Sequence, residues 1–181
     1  MNGYAMAAII TVRSREQILD VVDLAHTIWT DHYVPIIGPE QVGYMLARFQ
    51  SEDAIASQLF EGYEYFILSH GGKPAGYIAI VPDTDAGMLM ISKFYVLETE
   101  RGRGFGRLML EHAERVCRER EIHALWLTVN RNNTSSIAWY QRMGFRNTGS
   151  TIQDIGGGFV MDDYRMEKRV SPTVITGHDS P

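Results

Sequence analysis

The run from Arg101 to Gly106 is the part of the sequence that most directly suggests chemistry. It reads Arg-Gly-Arg-Gly-Phe-Gly, so glycines alternate with arginines and a phenylalanine. Glycine lets the backbone adopt positive φ and approach a ligand closely. A strand-like apolar segment precedes the run and a strongly periodic helix follows it. The first turn of a helix offers unpaired N–H groups and the positive end of the helix dipole, so the run predicts a phosphate-binding loop.

Two well-known glycine-rich loops do not fit this spacing. A P-loop needs four residues between its first glycine and a Gly-Lys-Ser or Gly-Lys-Thr, and neither tripeptide follows here. A dinucleotide-binding loop needs Gly-x-Gly-x-x-Gly near the start of a βαβ unit. Here the spacing is Gly-x-Gly-x-Gly, after an apparent antiparallel meander. The alternatives that stay open are a turn that binds no ligand and a loop of a third kind.

The elements that must position this run form a mixed α/β pattern. Apolar periodicity predicts strands at 9–13, 63–69, 75–81, 88–97, 124–129, 145–155 and 159–168. Helices are predicted from about residues 18, 42, 106 and 134, with a further helical stretch at 55–60. Pro35, Gly38 and Pro39 are expected to end the first helix. The order β-α-α-β-β-β-α-β-α-β-β indicates a sheet with helices packed on it.

Composition limits the class of protein. A chain of 181 residues is expected to form one domain, here over 9–170, and 171–181 is predicted to be a disordered tail. The net charge of −5 argues against nonspecific nucleic-acid binding. The single cysteine, Cys117, is expected to be buried and inert and allows no internal disulfide. Without signal-peptide or membrane-spanning features in the sequence, a cytoplasmic protein is expected.

Two motifs together resemble a known family. Arg101, Gly104 and Gly106, after the strand that ends Phe94-Tyr95-Val96, resemble the acetyl-CoA signature of the GNAT family of N-acetyltransferases. A second block at the right distance is similar to that family's downstream motif, and its matching positions are Asn133, Ala138, Tyr140, Gly144 and Phe145. The predicted element order also matches the family fold. The resemblance covers roughly residues 9–169.

The resemblance implies a fold and an activity. The fold is a mixed, mostly antiparallel seven-stranded sheet flanked by about four helices, with a V-shaped split between strands 4 and 5. The activity is transfer of the acetyl group of acetyl-CoA to a primary amine by direct attack in a ternary complex. The acceptor would be a small molecule, such as one like a polyamine, or a peptide. The alternative is a noncatalytic module of the same fold that binds acyl-CoA for sensing.

The resemblance also implies where the donor binds. The pyrophosphate would lie on N–H groups of 102–107, with positive charge from Arg101, Arg103 and Arg107, although these arginines could instead face solvent or pair with Glu100. The pantetheine arm would pair with the strand before the loop, and 127–130 would form the far wall. The residues implied in donor binding are Phe94, Tyr95, Val96, Arg101, Gly102, Arg103, Gly104, Phe105, Gly106, Arg107 and Asn133. Asn133 could equally cap the following helix.

The implied catalytic groups are Val96, Tyr140 and Glu98. The Val96 N–H would donate to the thioester oxygen. Tyr140 has an ordinary pKa of about 10 against about 8.5 for a free thiol, so its phenol does not ionise beforehand and can hydrogen-bond to, or protonate, the departing sulfur. The other interpretation of Tyr140 is a core aromatic residue.

No general base is evident in the sequence. Many family members have a glutamate on the strand before the loop, where this chain has Ser92 and Lys93. Glu98 acting through a water molecule, Glu64 on the neighbouring hairpin, and solvent are the alternatives.

The remaining expectations concern partners. The six histidines show no metal-ligand spacing, so no metal is expected. The segment Asp31-His32-Tyr33 lies where the family builds its acceptor pocket. The expected partner is the amine acceptor, with no nucleic acid and no membrane, and the resemblance allows a homodimer.

Overall fold

Seven strands and five α-helices make up residues 7–171, which are the residues that the computed structural model of the protein describes. The strands are β1 (Ala7–Thr11), β2 (Glu64–His70), β3 (Lys73–Asp83), β4 (Met88–Val96), β5 (Ala124–Asn130), β6 (Arg146–Gly156) and β7 (Phe159–Arg169). The helices are α1 (Arg15–Ile37), α2 (Pro39–Phe49), α3 (Glu52–Phe60), α4 (Phe105–Glu119) and α5 (Thr134–Arg142). The predicted element order is confirmed, with 55–60 as part of a separate helix. The predicted tail lies outside the described residues from 172 onward.

Of the residues predicted to end the first helix, Pro35 does not end it, whereas Gly38 is its C-cap. Helix α1 begins at a capping box, in which the Ser14 side chain accepts from the Gln17 N–H and the Gln17 side chain accepts from the Ser14 N–H. It continues through Pro35 and ends at Gly38, whose φ is 84°. A proline inside a helix removes its own N–H from the helical ladder, and its ring crowds the carbonyl of the residue four positions earlier. Only two residues of α1 follow Pro35, and the Gly38 N–H still donates to the Val34 carbonyl at 3.0 Å, so the last turn forms.

The sheet lies between two helical layers. Successive β2 residues are buried on opposite faces: Tyr65 and Ile67 pack with α1 and α2, whereas Phe66 and Leu68 pack with α4. A strand with both faces covered reads as a continuous apolar run, which is why β2 shows no alternation of polar and apolar residues. Within residues 7–171, no helix is long and apolar enough to cross a membrane.

The sheet is split in its middle. Its order is β1-β2-β3-β4-β5-β7-β6, with every neighbouring pair antiparallel except the parallel pair β4 and β5. That parallel pairing involves only Leu89 with Leu125 and Met90 with Trp126. On its other side β4 pairs with β3 through a bulge, since Ile91 and Lys93 oppose consecutive β3 residues. A bulge bends its strand, so β4 diverges from β5 beyond Met90. The predicted seven-stranded fold with a split between β4 and β5 is confirmed.

Candidate functional site

A cleft of about 940 Å³ lies where β4 and β5 separate. Residues of the glycine run, α4 and α5 line it on one face of the sheet, and residues of α1, α2 and the β6–β7 hairpin line it on the other. The structure places Tyr140 and every residue implied in donor binding except Arg103 in its lining. The cleft therefore connects the two helical layers through the gap in the sheet.

The glycine run forms the turn that starts α4. Gly102 and Gly104 have φ values of 78° and 82°, which a residue with a Cβ atom rarely adopts. Gly104 is the N-cap of α4, and the first turn contains no side-chain cap and no acidic residue. Gly106 faces α5, and a Cβ there would meet the Trp139 ring at 3.0 Å. The turn thus leaves the first N–H groups of α4 open toward the cleft, a suitable site for an anion.

The three arginines of this region differ in their surroundings. Arg103 pairs with Glu100 at 3.2 Å between Nε and Oε2, and the same carboxylate oxygen lies 2.9 Å from His70 Nδ1. Arg101 donates from Nε to the Val96 carbonyl at 3.4 Å. Arg107 has no carboxylate partner among residues 7–171. Positive charge at the turn therefore comes mainly from Arg101 and Arg107, since Glu100 offsets Arg103.

The backbone of β4 offers hydrogen-bonding groups to the gap. The Leu97 N–H donates to the Ala75 carbonyl on the β3 side at 2.9 Å. Successive residues of an extended strand direct their N–H groups to opposite sides. The N–H groups of Val96 and Phe94 therefore face away from β3, toward the side where β5 is absent. This is the edge along which an added extended chain could pair.

Tyr140 lies on α5 with 8% of its surface exposed. Its ring packs against Phe94 and Phe145 at centroid distances of 6.0 and 5.5 Å. Burial raises the pKa of Tyr140 above its ordinary value, and the nearby Tyr33 adds to the shift. The phenol is therefore protonated at neutral pH and can donate its proton into the cleft.

Asn133 connects α5 to α1. Its Oδ1 atom accepts from the Ser136 N–H at 3.4 Å, which caps α5, and lies 3.3 Å from His32 Nε2. Burial, and next the charge of Arg101, lower the pKa of His32. His32 is thus neutral at pH 7, and the cap gives Asn133 a structural role whether or not it also contacts a ligand.

Aromatic rings form the cleft wall on the α1 side. Trp29 stacks on Tyr33 with centroids 4.6 Å apart, and Tyr95 lies 5.7 Å from Trp29 and 5.2 Å from Tyr77. Burial raises the pKa of Tyr33 to about 12. These rings make a rigid, largely apolar wall with hydroxyl groups.

Two charged side chains in the cleft were not identified as functional from the sequence. Lys93 on β4 donates to the Ser92 hydroxyl at 3.1 Å, and burial lowers its pKa to about 8. Asp163 on β7 is 3% exposed, and its Oδ1 atom has no hydrogen-bond partner among the described residues. The signal that could have found Asp163 is the pair Asp162-Asp163 within a strand, because one of two adjacent strand residues must face inward.

The carboxylates that the sequence suggested as bases lie elsewhere. Glu98 is exposed in the short turn after β4 and does not line the cleft. Glu64 pairs with Arg120, the residue that follows α4, through two hydrogen bonds of 2.6 and 2.9 Å. Glu64 therefore already has a cationic partner. Glu98 could serve as a base only through intervening water molecules, because it does not line the cleft.

The sequence is similar to known acetyltransferases. The model of the "Acetyltransferase (GNAT) family" matches residues 23–145. Streptothricin acetyltransferase of Streptomyces lavendulae is 32% identical over 94 residues, which are 52% of this chain and 50% of that protein. The ribosomal protein bS18 alanine N-acetyltransferase of Escherichia coli strain K12 is 33% identical over 95 residues, 52% of this chain and 63% of that protein. The matched part thus spans about half to two thirds of these relatives.

The fold is also similar to solved structures. The PaiA N-acetyltransferase from Thermoplasma acidophilum, crystallised in complex with coenzyme A, superposes with a TM-score of 0.73. The comparison covers 90% of this chain and 98% of that one at 19% sequence identity. This likeness extends over nearly the whole described chain and concerns the arrangement of its strands and helices.

Proposed function

The chain belongs to the GNAT acetyltransferase family, and from this premise we propose that it transfers the acetyl group of acetyl-CoA to a primary amine by direct attack in a ternary complex. The observation that carries the proposal is the uncapped start of α4, which follows two positive-φ glycines and opens onto the gap between β4 and β5. A helix N-terminus binds phosphate, and the adjacent free strand edge can bind an extended arm. Coenzyme A has both groups.

The donor would be held by backbone groups more than by side chains. The N–H groups of 102–107 would receive the pyrophosphate, with Arg101 and Arg107 adding positive charge. The N–H groups of Phe94 and Val96 face the gap between β4 and β5. There they would pair with the pantetheine arm and, at Val96, with the thioester oxygen. A fixed N–H that meets the oxygen as its negative charge develops lowers the barrier more than it stabilises bound substrate. Arg103 is a weaker candidate for a phosphate contact because it is paired with Glu100.

Tyr140 would supply the proton to the departing sulfur. Its raised pKa keeps the proton on the phenol until charge develops on the thiolate. Its ring is fixed between Phe94 and Phe145, so the hydroxyl needs little reorganisation. Removal of this proton donor would therefore slow the chemical step and leave donor binding intact.

The acceptor would enter on the α1 and α2 side, across the aromatic wall of Trp29, Tyr33 and Tyr95. The relatives' names mention streptothricin and the alanine of a ribosomal protein. The aromatic wall and the buried carboxylate of the cleft support an acceptor with a cationic amine, of either of these kinds or like a polyamine. Acetyl-CoA and an amine acceptor are thus the proposed partners, and Glu98 stays a proposal for a base acting through water.

The proposal is tested by thiol release from acetyl-CoA with four amines: streptothricin, a peptide with N-terminal alanine, a peptide with one lysine, and spermidine. We expect at least one amine to accelerate release. Tyr140→Phe should lower kcat about 10²-fold or more with an unchanged Kd for acetyl-CoA. Tyr164→Phe is the matched control, because Tyr164 packs beneath Arg131 outside the cleft. Binding of acetyl-CoA without acceleration by any amine, and with no effect of Tyr140→Phe, would support the noncatalytic binding module instead.

A further inference from the structure

Asp163 is a buried acid that has no cationic partner among residues 7–171. It lies on β7 directly opposite Asn130 of β5, and its side chain lines the cleft. With 3% of its surface exposed, its Oδ1 atom finds no hydrogen-bond partner within residues 7–171. An unpaired buried carboxylate destabilises a fold, and such groups are normally paired. Its presence in a cleft indicates that a ligand supplies the missing partner.

The neighbouring acid shows what the chain does with a structural aspartate. Asp162, on the opposite face of β7, has its Oδ1 atom 2.6 Å from Arg131 Nη2. This oxygen also lacks a well-aligned hydrogen bond within residues 7–171, but the guanidinium compensates its charge and 37% of the side chain is exposed. Burial, as the main cause, raises the pKa of Asp163 to about 6; a hydrogen bond with the neutral Thr128 side chain lowers it, and the like charge of Asp162 raises it. The group is therefore mostly ionised at neutral pH and can still accept a proton.

Other groups of the cleft leave Asp163 as the available carboxylate. Among the described lining residues the other acid is Glu100, which His70 and Arg103 already engage. The other ionisable groups that line the cleft are Tyr33 and His32 on α1, Tyr63 before β2, Lys93 and Tyr95 on β4, Arg101 in the glycine run, Arg107 on α4, and Tyr140 and Arg142 on α5. The charge of Asp163 raises the pKa of Tyr33, and Tyr33 in turn raises the pKa of Tyr140. Asp163 and the proposed proton donor thus line the same cleft.

We infer that Asp163 binds the ammonium group of the acceptor and takes its proton, so that the nitrogen can attack the thioester. This inference rests on the proposed acetyl transfer and assigns its base to Asp163 in place of Glu98. The ammonium group first gives one proton to the Asp163 carboxylate, which releases it to solvent. The lone pair of the free amine then forms the C–N bond, the C–S bond breaks, the sulfur receives the Tyr140 proton, and the nitrogen loses its second proton to Asp163. That proton returns from Asp163 to Tyr140 through solvent, so the enzyme regains its initial state and one proton is released per acetyl group transferred.

The test is the pH dependence of kcat/KM with the most reactive amine of the four-member set. For the natural chain we expect a plateau above about pH 6 that extends toward the pKa of the amine, about 10 for a lysine-like group. Asp163→Asn cannot accept a proton, so only free amine reacts. Its kcat/KM should rise about tenfold per pH unit across that range and be about 10²-fold lower at neutral pH.

Three controls make the outcome decisive. Asp162→Asn changes the adjacent acid outside the cleft and should keep the natural profile. Asp163→Glu keeps a carboxylate and should restore the plateau in part. This variant distinguishes loss of the carboxylate from a folding defect of Asp163→Asn. The Kd for acetyl-CoA should not change in any variant. A profile of Asp163→Asn that runs parallel to that of the natural chain overturns the role of Asp163 alone. Turnover of no amine by the natural chain overturns the proposed function and this inference together.

Discussion

Asp163 and Asp162 are adjacent in sequence but lie on opposite faces of β7. One forms an ion pair with Arg131 and the other is enclosed beside a neutral threonine. Enclosure raises the pKa of Asp163, so its ionised form destabilises the folded state. The ionised Asp163 therefore lowers the stability of the protein. Such destabilising groups are common in active sites, where an acid or base needs a shifted pKa.

Replacement of this charge should stabilise the protein in a pH-dependent way. The folded pKa of Asp163 is about 6, against an ordinary value of 3.8. Between these values the folded state binds more protons than the unfolded state, so the contribution to stability falls as pH rises and the full cost is present above about pH 6. Asp163→Asn should therefore raise the free energy of unfolding near pH 8, by at most about 3 kcal/mol relative to its effect near pH 4. Urea unfolding at both pH values measures this difference. An effect of equal size at both would show that the charge is not the cause.

Residues differ in how far the sequence reveals them. Tyr140 and the glycine run could be predicted because their motifs are local, with spacing that is meaningful before the chain folds. The Asp162-Asp163 pair predicts that one aspartate faces inward, but the sequence does not say which, because that depends on the side of β7 that meets the cleft and on the position of Arg131. In the sequence Lys93 is evident only as the residue in place of a glutamate, since its lowered pKa arises from tertiary burial.

The turn that starts α4 depends on backbone conformation rather than on side chains. Gly102 has φ 78°, and a Cβ atom added to it would have no neighbouring atom within 4 Å, so alanine there would meet strain without a clash. Gly87, in the turn between β3 and β4, has φ 63° and the same open surroundings. The two glycines therefore form a matched pair. Both have positive φ and open surroundings, but only Gly102 lies in the proposed donor site.

The matched pair separates binding from stability. Alanine at either position should lower the free energy of unfolding by about 1–2 kcal/mol, the cost of a left-handed residue with a Cβ. Only Gly102→Ala should also weaken acetyl-CoA binding, about tenfold, because strain moves the N–H groups that would face the phosphates. Calorimetric titration of both variants gives the two Kd values. Equal Kd values for the two variants would remove this turn from the donor site.

At the level of elements, most of the fold could be predicted because its strands and helices have strong periods. The exception is the end of α1, where Pro35 predicted a break that the helix does not make. The bulge at β4 could not be predicted either, since Ser92 becomes the extra residue only through pairing with β3. That bulge positions the β4 edge of the gap, although no residue pattern in the sequence predicts it.

The sheet of the molecule is continuous where β4 begins, because β4 and β5 pair there, and it is open beyond Met90, where these strands separate. Two parallel residue pairs join its halves, while β3 with β4 and β5 with β7 pair along most of their lengths. The halves are otherwise connected through the helical layers. A ligand seated in the gap would therefore complete the sheet and stabilise the molecule as a unit.

Hydrogen exchange should detect this completion. Saturation with acetyl-CoA at about 100 times its Kd should stabilise the folded state by about 2.7 kcal/mol. Protection beyond this general gain should appear at the N–H groups of Phe94 and Val96, which face the gap. The β1–β2 pair, at the far edge of the sheet, is the internal control. Uniform protection without an excess at these two groups would contradict pairing of the donor arm with β4.

The position of Trp139 beside Gly106 makes its fluorescence a probe of substrate binding. Of the three tryptophans, Trp139 lies beside the turn proposed for the donor and Trp29 in the wall proposed for the acceptor. Trp126 packs outside the cleft, with the Arg165 guanidinium 4.0 Å from its ring centroid. Emission from the first two would change as each substrate arrives, against a constant background from the third. Substitution of Trp29 or Trp139 by phenylalanine would assign each change, so the order of substrate arrival could be followed without an attached dye.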